Sequence, residues 1–304
     1  MHVGSRLSAA AGVLALASVG VPAVAAEDVG CGDLITASTQ LTRDLHCTGE
    51  DGDGLTIAAS GAEAEPLVLD LNGHTLAGGG ERGLAGIRFT GQNNVVVRNG
   101  TITGFHVGVE VQQSMRVTLT GLTVHGIDRG INVGGGGYHL IEKNTATAEQ
   151  RDGIRLGATT NNYVVKNTVP EAVWGISIAG YTTSNFIEKN TVTGSVRHGI
   201  GAFDNARAVT IVKNEVAGNY DGIFVGKEVL EAHLEKNEAA DNREDGIHVD
   251  TASAKLIKNI ATGNTGLGIL AVEGVSGSGN VASGNLAGGA ENPTQCVGVE
   301  CAPA

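Results

Sequence analysis

The chain alternates hydrophobic and polar residues over stretches of only three or four positions, which predicts short β-strands with one buried side. The most regular unit is a box of Gly, an aliphatic residue, a variable residue and a second apolar residue. It occurs nine times, beginning at Gly86, Gly108, Gly130, Gly153, Gly175, Gly199, Gly222, Gly246 and Gly268. The successive spacings are 22, 22, 23, 22, 24, 23, 24 and 22 residues, so the middle of the chain is an internal repeat.

A second box lies between consecutive Gly boxes and is marked by an Asn at a nearly fixed position. These residues are Asn144, Asn167, Asn190, Asn214, Asn237, Asn259 and Asn280. An Asn at a surface turn would bond only locally, whereas an inward Asn at a sharp bend can bond backbone groups of its own and the next repeat. The fixed register favours the second interpretation, so we predict a buried ladder of Asn side chains.

One repeat is too small to be stable alone, because its two or three short strands cannot bury their apolar sides. Stacking solves this problem, since each strand then pairs in parallel with its counterpart one coil away, at about 4.8 Å. No stretch offers the ten or more residues of 3.6-residue periodicity that a helix needs. We therefore predict an all-β solenoid with a continuous aliphatic core.

The two boxes, such as G-I-R-L at Gly153 and V-V-K-N-T-V at Val164, resemble the repeats of right-handed parallel β-helix proteins. This superfamily includes pectin and pectate lyases, polygalacturonases, alginate epimerases and NosD-like proteins. The resemblance covers roughly Leu55 to Asn285. It implies a right-handed, single-stranded parallel β-helix of about ten coils at residues 55–285, with caps at 27–54 and 286–304. The activity motifs of the lyases, polygalacturonases and epimerases are absent, so the resemblance implies a fold and a polysaccharide partner, but no single reaction.

The N-terminal residues predict an exported protein. Residues 1–26 contain Arg6, an apolar run from Ala9 to Val21 and a small-residue end, which is the order of a secretory signal peptide. A membrane anchor is the alternative, but this run is shorter than the ~20 residues that cross a bilayer. No later segment is long and apolar enough to span a membrane, so we expect a secreted protein.

The four cysteines lie near the two ends of the chain, and in an exported protein an even number predicts disulfides. Proximity favours Cys31–Cys47 and Cys296–Cys301 over the two other connectivities. A zinc site is the alternative, but no Cys-x2-Cys spacing supports it.

Composition adds limits on core and partners. With 47 glycines and only 3% aromatic residues, the chain must turn often and bury aliphatic side chains. A net charge of −12 argues against a nucleic-acid partner, because phosphate binding relies on clustered Lys and Arg. We expect a monomer.

Candidate chemistry is found by aligning the repeats, since equal positions in successive coils become neighbours. The position before the box Gly brings His198, Asp221 and Asp245 into one line. The variable box position adds His248, and Asp250 follows on the same side of that strand. We predict that His198, Asp221, Asp245 and His248 handle protons at a sugar ring, for β-elimination or glycoside cleavage. No cofactor is certain, but clustered carboxylates at Asp221, Asp245 and Asp250 suit Ca²⁺.

Substrate contacts are predicted from aromatic and basic residues near this group: Arg155, Trp174, Arg197, Tyr220 and Phe224. The structural alternative is that an Asp before Gly-Ile is a turn residue bonded to its own backbone. The functional alternative is a non-catalytic extracellular rod. Convergence of His198, Asp221, Asp245 and His248 in an open groove would favour the enzyme.

Overall fold

The computed structural model describes residues 25–26, 28–287 and 295–302. Most of the predicted signal peptide, residues 1–24, lies outside this part of the chain. The regular secondary structure of the described residues is β-strand, and the one helical element among them is a 3₁₀ turn at Gly49–Asp51. Every strand pairing is parallel, and each strand bonds the corresponding strand one coil later. The predicted all-β, right-handed parallel β-helix is confirmed.

Three parallel sheets form the three faces of the solenoid. The first face carries the Gly boxes and contains Asp33–Ile35, Leu55–Ile57, Ala85–Thr90, Asp152–Gly157, Trp174–Ala179, Ile200–Ala202, Ile223–Val225, Ile247–Val249, Ile269–Ala271 and Cys296–Val297. The second face contains Ala25–Ala26, Thr39–Gln40, Leu67–Asp70, Leu140–Glu142, Tyr163–Val165, Phe186–Glu188, Thr210–Val212, His233–Glu235, Lys255–Ile257 and Ser276–Ser278.

The third face contains Leu45–His46, Thr75–Ala77, Thr145–Ala148, Thr168–Pro170, Thr191–Thr193, Glu215–Ala217, Glu238–Ala240, Ile260–Thr262, Asn280–Ser283 and Cys301–Ala302. Two long strands, Asn93–Gln112 and Met115–Gly134, each pass through all three faces. The pairings along the first face connect twelve strands in series, slightly more than the ten coils expected. The segment 27–54, assigned to a cap, already contains the first strand of the first face.

The core is a set of aliphatic columns. On the first face, Ile154, Ile176, Ile200, Ile223 and Ile247 pair in direct register, and none of these side chains is exposed. Each buried aliphatic side chain contributes about 1.5–3 kcal/mol relative to an exposed one. Repetition of one inward position in coil after coil therefore supplies the driving force that a single repeat lacks.

The predicted Asn ladder is present at the bend between the second and third faces. Asn167 is a representative rung: its Oδ1 accepts hydrogen bonds from the backbone N and the Nδ2 of Asn144, at 3.0 and 3.1 Å. Its own Nδ2 donates to the carbonyl oxygen of Ile141 at 2.8 Å. The same pattern continues through Asn190, Asn214, Asn237, Asn259 and Asn280. Backbone groups that face inward at the bend thus find partners without water.

Two shorter ladders at the other bends were missed by the sequence analysis. Asn219, Asn242, Asn264 and Asn285 stack between the third and first faces. His139, Asn162 and Asn185 stack between the first and second faces.

The box glycines are required by the close approach of successive coils. A Cβ on Gly175 would collide with the carbonyl oxygen of Gly199 and with the side chain of Val192. Gly199 and Gly222 face the same problem, because the Nδ2 of an Asn and the next box carbonyl occupy the space. The repeated Gly therefore reflects tight stacking at this corner.

Both predicted disulfides are present, Cys31–Cys47 and Cys296–Cys301. Cys296 lies in a strand of the first face and Cys301 in a strand of the third face, so this bridge fastens the last coil. Within the described part of the chain, we find no helix with the length and hydrophobicity needed to cross a membrane.

Candidate functional site

The predicted site residues lie on the outer surface of the first face. In the strand Ile247–Val249, Ile247 and Val249 are in the core, so the alternation of a β-strand turns His248 outward. In two places the residue before a box Gly contacts the outward residue of the next coil: Ser177 donates a hydrogen bond to Asp152, and Phe224 stacks on His198. The Gly boxes therefore determine both which residues fill the core and which reach the surface.

Four rings from four successive coils form a continuous row, which we call the ring row: Trp174, His198, Phe224 and His248. The ring centroids of Trp174 and His198 are 5.2 Å apart, and those of Phe224 and His248 are 5.4 Å apart, both in edge-to-face contact. Between them, His198 stacks on Phe224 at 4.3 Å with an interplanar angle of 10°. All four side chains are partly exposed, so the row is open to solvent.

Three carboxylates lie along the histidines of this row. Oδ2 of Asp221 is 2.9 Å from Nδ1 of His198, and Oδ2 of Asp245 is 3.5 Å from Nδ1 of His248. On the other side of the same ring, Nε2 of His248 is 3.0 Å from Oδ1 of Asp250. The structure thus brings the four residues predicted to be catalytic into one group, in which the two histidines are partly exposed and Asp221 and Asp245 are buried.

Asp221 and Asp245 also have a structural role, but it differs from the local turn that was the alternative. Oδ1 of Asp221 accepts a hydrogen bond from the backbone N of Asp245 at 3.1 Å, and Oδ1 of Asp245 accepts one from the backbone N of Leu267 at 2.7 Å. These donors belong to the next coil, so the bonds tie coils together and do not close a local turn. Each carboxylate uses one oxygen in this way, and Oδ2 remains directed at a histidine.

Burial changes the acidity of the Asp245 carboxyl group. Desolvation raises the pKa of Asp245 above its usual range, and the negative charges of Asp221 and Glu244 act in the same direction. The hydrogen bond from Leu267 and the proximity of His248 lower that pKa, but they do not cancel the burial. Asp245 therefore holds a proton more readily than an ordinary aspartate.

One atom from each of Asp221, Asp245 and His248 lies within 4.8 Å of the others, which is the spacing of a metal-ligand set. Asp250 is not one of these three residues, but its Oδ1 contacts Nε2 of His248, the ring nitrogen that faces away from Asp245. Calcium at Asp221, Asp245 and Asp250 stays a prediction.

Arg155 and Trp174 line a shallow depression of about 250 Å³ at one end of the ring row. Arg129, Arg151, Asp152 and Phe203 complete its wall. Arg129 pairs with Asp128 and Asp152, and Arg151 pairs with Asp128. Arg155 has no acidic partner among the described residues, so it is the cation in this wall that remains available to a ligand.

Two predicted contact residues lie apart from the row. Arg197 and Tyr220 are exposed, and within the described chain neither side chain makes an ion pair or ring contact with the row. Phe203 was missed, although its ring lies 5.4 Å from that of Trp174. The sequence contained one indication of this contact, because Gly201 has no side chain at the outward position of its strand. The Phe203 ring lies in that space, where a Cβ on Gly201 would be 2.7 Å from it.

Comparison with known proteins agrees with this architecture. The family described as the right-handed β-helix region matches residues 71–207 and 175–287, so the chain belongs to that family. A comparison with curated proteins finds no significant match.

Solved structures similar to this chain include a mutant of the periplasmic alginate epimerase AlgG, at 17% identity and a TM-score of 0.63, covering 91% of this chain and 78% of that one. The Dettilon tailspike protein is similar at 19% identity and a TM-score of 0.62, covering 87% and 62% respectively. The A-module of the Azotobacter vinelandii mannuronan C-5 epimerase AlgE4 is similar at 15% identity and a TM-score of 0.52. The match covers 88% of this chain and 91% of that one. At these identities the likeness concerns the fold.

Proposed function

We propose that this protein is exported and binds an extracellular polysaccharide along its first face, with lyase or glycoside hydrolase chemistry at His198, Asp221, Asp245 and His248. The observation that carries the proposal is the partly exposed ring row together with the three carboxylates that contact its histidines. The row spans three coil rises, or about 14 Å. A surface of this length suits several sugar units of one chain.

The parts of the surface have complementary tasks. Trp174 and Phe203 offer apolar ring faces for the C–H sides of sugars, and Arg155 offers a charge to a carboxylate or hydroxyl. His248 is oriented by Asp250 and faces Asp245 through its other nitrogen. A neutral imidazole can accept a proton from the sugar, while Asp245, with its raised pKa, can donate one to a leaving oxygen.

Further support comes from outside the site. Two of the three similar structures named above are alginate epimerases, which act on a polysaccharide, although a shared fold is an analogy and does not establish an activity. The sequence pattern of residues 1–26 and the two disulfides favour an oxidising, extracellular compartment.

The test is incubation of the purified protein with a panel of uronate-containing and neutral glycans. Absorbance of unsaturated products reports a lyase, new reducing ends report chain cleavage, and affinity electrophoresis reports binding alone. We expect retention on at least one glycan, and Trp174→Ala should weaken it about tenfold, because it removes a stacking platform. Tyr181→Ala is the matched control, since Tyr181 is 79% exposed and lies outside the ring row.

Asp245→Asn and His248→Gln should abolish product formation while retention persists, because Trp174 and Arg155 remain in place. Absence of both retention and product on every glycan would contradict the proposal and favour the non-catalytic rod. Retention without product from the unaltered protein would leave a binding protein and remove the catalytic part.

A further inference from the structure

We propose that Asp221, Asp245 and His248 form a binding site for a divalent transition-metal ion of the Zn²⁺ type. The site shares residues with the proposed catalytic group, and the proton transfers described above belong to the metal-free form, because a metal would occupy the same lone pairs. The inference stands on the donor atoms alone. It does not require that the protein bind a glycan.

The first argument is an excess of buried negative charge. The side chains of Asp221 and Asp245 are only 4% and 8% exposed. Among the described residues, no Lys or Arg pairs with either, and the Oδ2 of each receives no hydrogen bond. Buried carboxylates without a cationic partner are strongly unfavourable. A bound cation would supply the missing charge.

The second argument comes from His198, which lies outside the set of Asp221, Asp245 and His248. Its Nδ1 is completely enclosed and makes no hydrogen bond, although it lies only 2.9 Å from Oδ2 of Asp221. The contact lacks the alignment of a hydrogen bond. Since neither atom bonds to the other, Oδ2 of Asp221 keeps its lone pairs for a cation.

The third argument is the orientation of His248. Its Nε2 is 3.0 Å from Asp250, which leaves Nδ1 directed at Asp245. A carboxylate that holds the far nitrogen of a metal-binding histidine is the usual outer partner of such sites, since it fixes the ring and raises its basicity. Asp250 would therefore be a positioning residue for the metal ligand His248.

The donor set and its spacing favour a transition metal over calcium. Tetrahedral ligands at 2.0–2.1 Å from Zn²⁺ lie about 3.3 Å from one another. Within the set, Oδ2 of Asp245 and Nδ1 of His248 are 3.5 Å apart, which is close to that value, and one donor atom from each of the three residues lies within 4.8 Å of the others. Calcium instead takes six to eight oxygen ligands. Imidazole nitrogens suit zinc and its neighbours in the first transition row.

The experiment uses the full exported chain, freed of metal by dialysis against a chelator and measured without any glycan. Titration calorimetry with Zn²⁺, Ca²⁺ and Mg²⁺ gives affinity and stoichiometry, and thermal unfolding gives the change in Tm. We expect one Zn²⁺ per chain, a higher Tm with Zn²⁺, and no comparable effect of Ca²⁺. Co²⁺ should give the absorption spectrum of a tetrahedral site.

Four variants distinguish Zn²⁺ binding at this site from nonspecific Zn²⁺ binding elsewhere on the protein. Asp245→Asn and His248→Gln should each weaken Zn²⁺ binding at least a hundredfold, and Asp250→Asn about tenfold to a hundredfold. His233→Gln is the matched control, because His233 pairs with Glu235 two residues later at 3.2 Å, as His248 pairs with Asp250, but has no second buried acid. It should bind Zn²⁺ as the unaltered protein does.

Three results would overturn the inference: no stoichiometric Zn²⁺, Zn²⁺ binding that none of the three variants changes, or binding of Ca²⁺ in preference to Zn²⁺. The last would instead favour calcium at Asp221, Asp245 and Asp250. A cooperative unfolding transition of each metal-free variant, close to or above the Tm of the metal-free parent, verifies that the fold is intact. Because no glycan is present, failure here leaves the proposed polysaccharide function untouched.

Discussion

The bend between the second and third faces and the outer surface of the first face are built from the same repeat, yet they differ in uniformity. At the bend, seven Asn residues follow one another, and in each of the six successive pairs the backbone N of one donates to Oδ1 of the next. On the first face, the outward residue changes with every coil, for example from Ser177 to Gly201, Phe224 and His248. Uniform positions build the solenoid, whereas the variable positions are free to carry chemistry.

The largest effect on stability is expected from a substitution that forces two stacked coils apart. Gly175→Val should destabilise the protein by about 4 kcal/mol or more, because the new side chain meets the backbone of Gly199, which cannot move independently. Chemical denaturation measures the loss, or the variant fails to fold. Gly157→Ala is the control: its nearest contact would be 3.5 Å away, at the flexible Arg155 side chain. A well-folded Gly175→Val variant of normal stability would contradict close stacking.

Removal of one rung of the Asn ladder should have the next largest effect. Asn190→Ala leaves the backbone N of Asn167 buried without a partner and removes the side-chain hydrogen bonds to the carbonyl oxygen of Val164 and to Oδ1 of Asn214. With about 1–3 kcal/mol for the unsatisfied N–H and about 1 kcal/mol for a lost hydrogen bond, we expect the free energy of unfolding, measured in urea, to fall by about 3 kcal/mol. Thr191→Ala changes the adjacent outward residue and should cost less than about 1 kcal/mol. Equal losses for the two variants would mean that the ladder has no special role.

The third prediction concerns His139, which takes the place of an Asn in one of the shorter ladders. Burial lowers the pKa of His139 to about 4 from 6.5. Below pH 6.5 the imidazole of His139 is protonated in the unfolded chain but remains neutral in the folded chain until the pH approaches 4. The free energy of unfolding therefore falls as the pH decreases from 6.5 toward 4. Between pH 7 and pH 4.5 the loss from this group is about 2 kcal/mol.

His139→Asn would extend the adjacent Asn pair and remove that proton. The urea midpoint of this variant should fall less between pH 7 and pH 4.5 than that of the parent. His125→Gln, at an exposed histidine, is the control. An unchanged pH dependence in His139→Asn would show that other groups govern the acid sensitivity.

On the variable surface, substitutions should disturb stability least. Asp245→Asn keeps an oxygen to accept the hydrogen bond from the backbone N of Leu267. It also removes a buried carboxyl group whose pKa is already raised. We expect its unfolding free energy at pH 7 to equal or slightly exceed that of the parent, within about 1 kcal/mol. A large loss would mean that the charge itself holds the coils together, and that the carboxylate belongs to the uniform part.

The same contrast explains what the sequence could predict. The Gly boxes and the Asn144 series keep nearly constant spacing, so the coil register, the core columns and one ladder follow from counting. The cluster of Asp221, Asp245 and His248 follows as well, because each of these residues has a fixed offset from a box Gly.

Residues on the connecting segments do not have that regularity. Arg197 and Tyr220 are near the cluster in sequence, but their backbones turn them toward solvent. Phe203 joins the ring row from beyond the end of a strand, through space left by Gly201. Counting repeats locates the coils, whereas the direction of a side chain after a strand ends depends on local backbone angles.

The central claim is that equal positions in consecutive repeats lie directly above one another. Spin labels on the second face, attached through unnatural amino acids to leave the disulfides intact, test it most directly. Labels at Tyr163 and Lys255 are four coil rises apart, and labels at Tyr163 and Ser276 are five apart. Pulsed electron resonance should give backbone separations of about 19 and 24 Å, a difference of one rise. Equal distances, or a difference of 10 Å or more, would contradict the stacked solenoid.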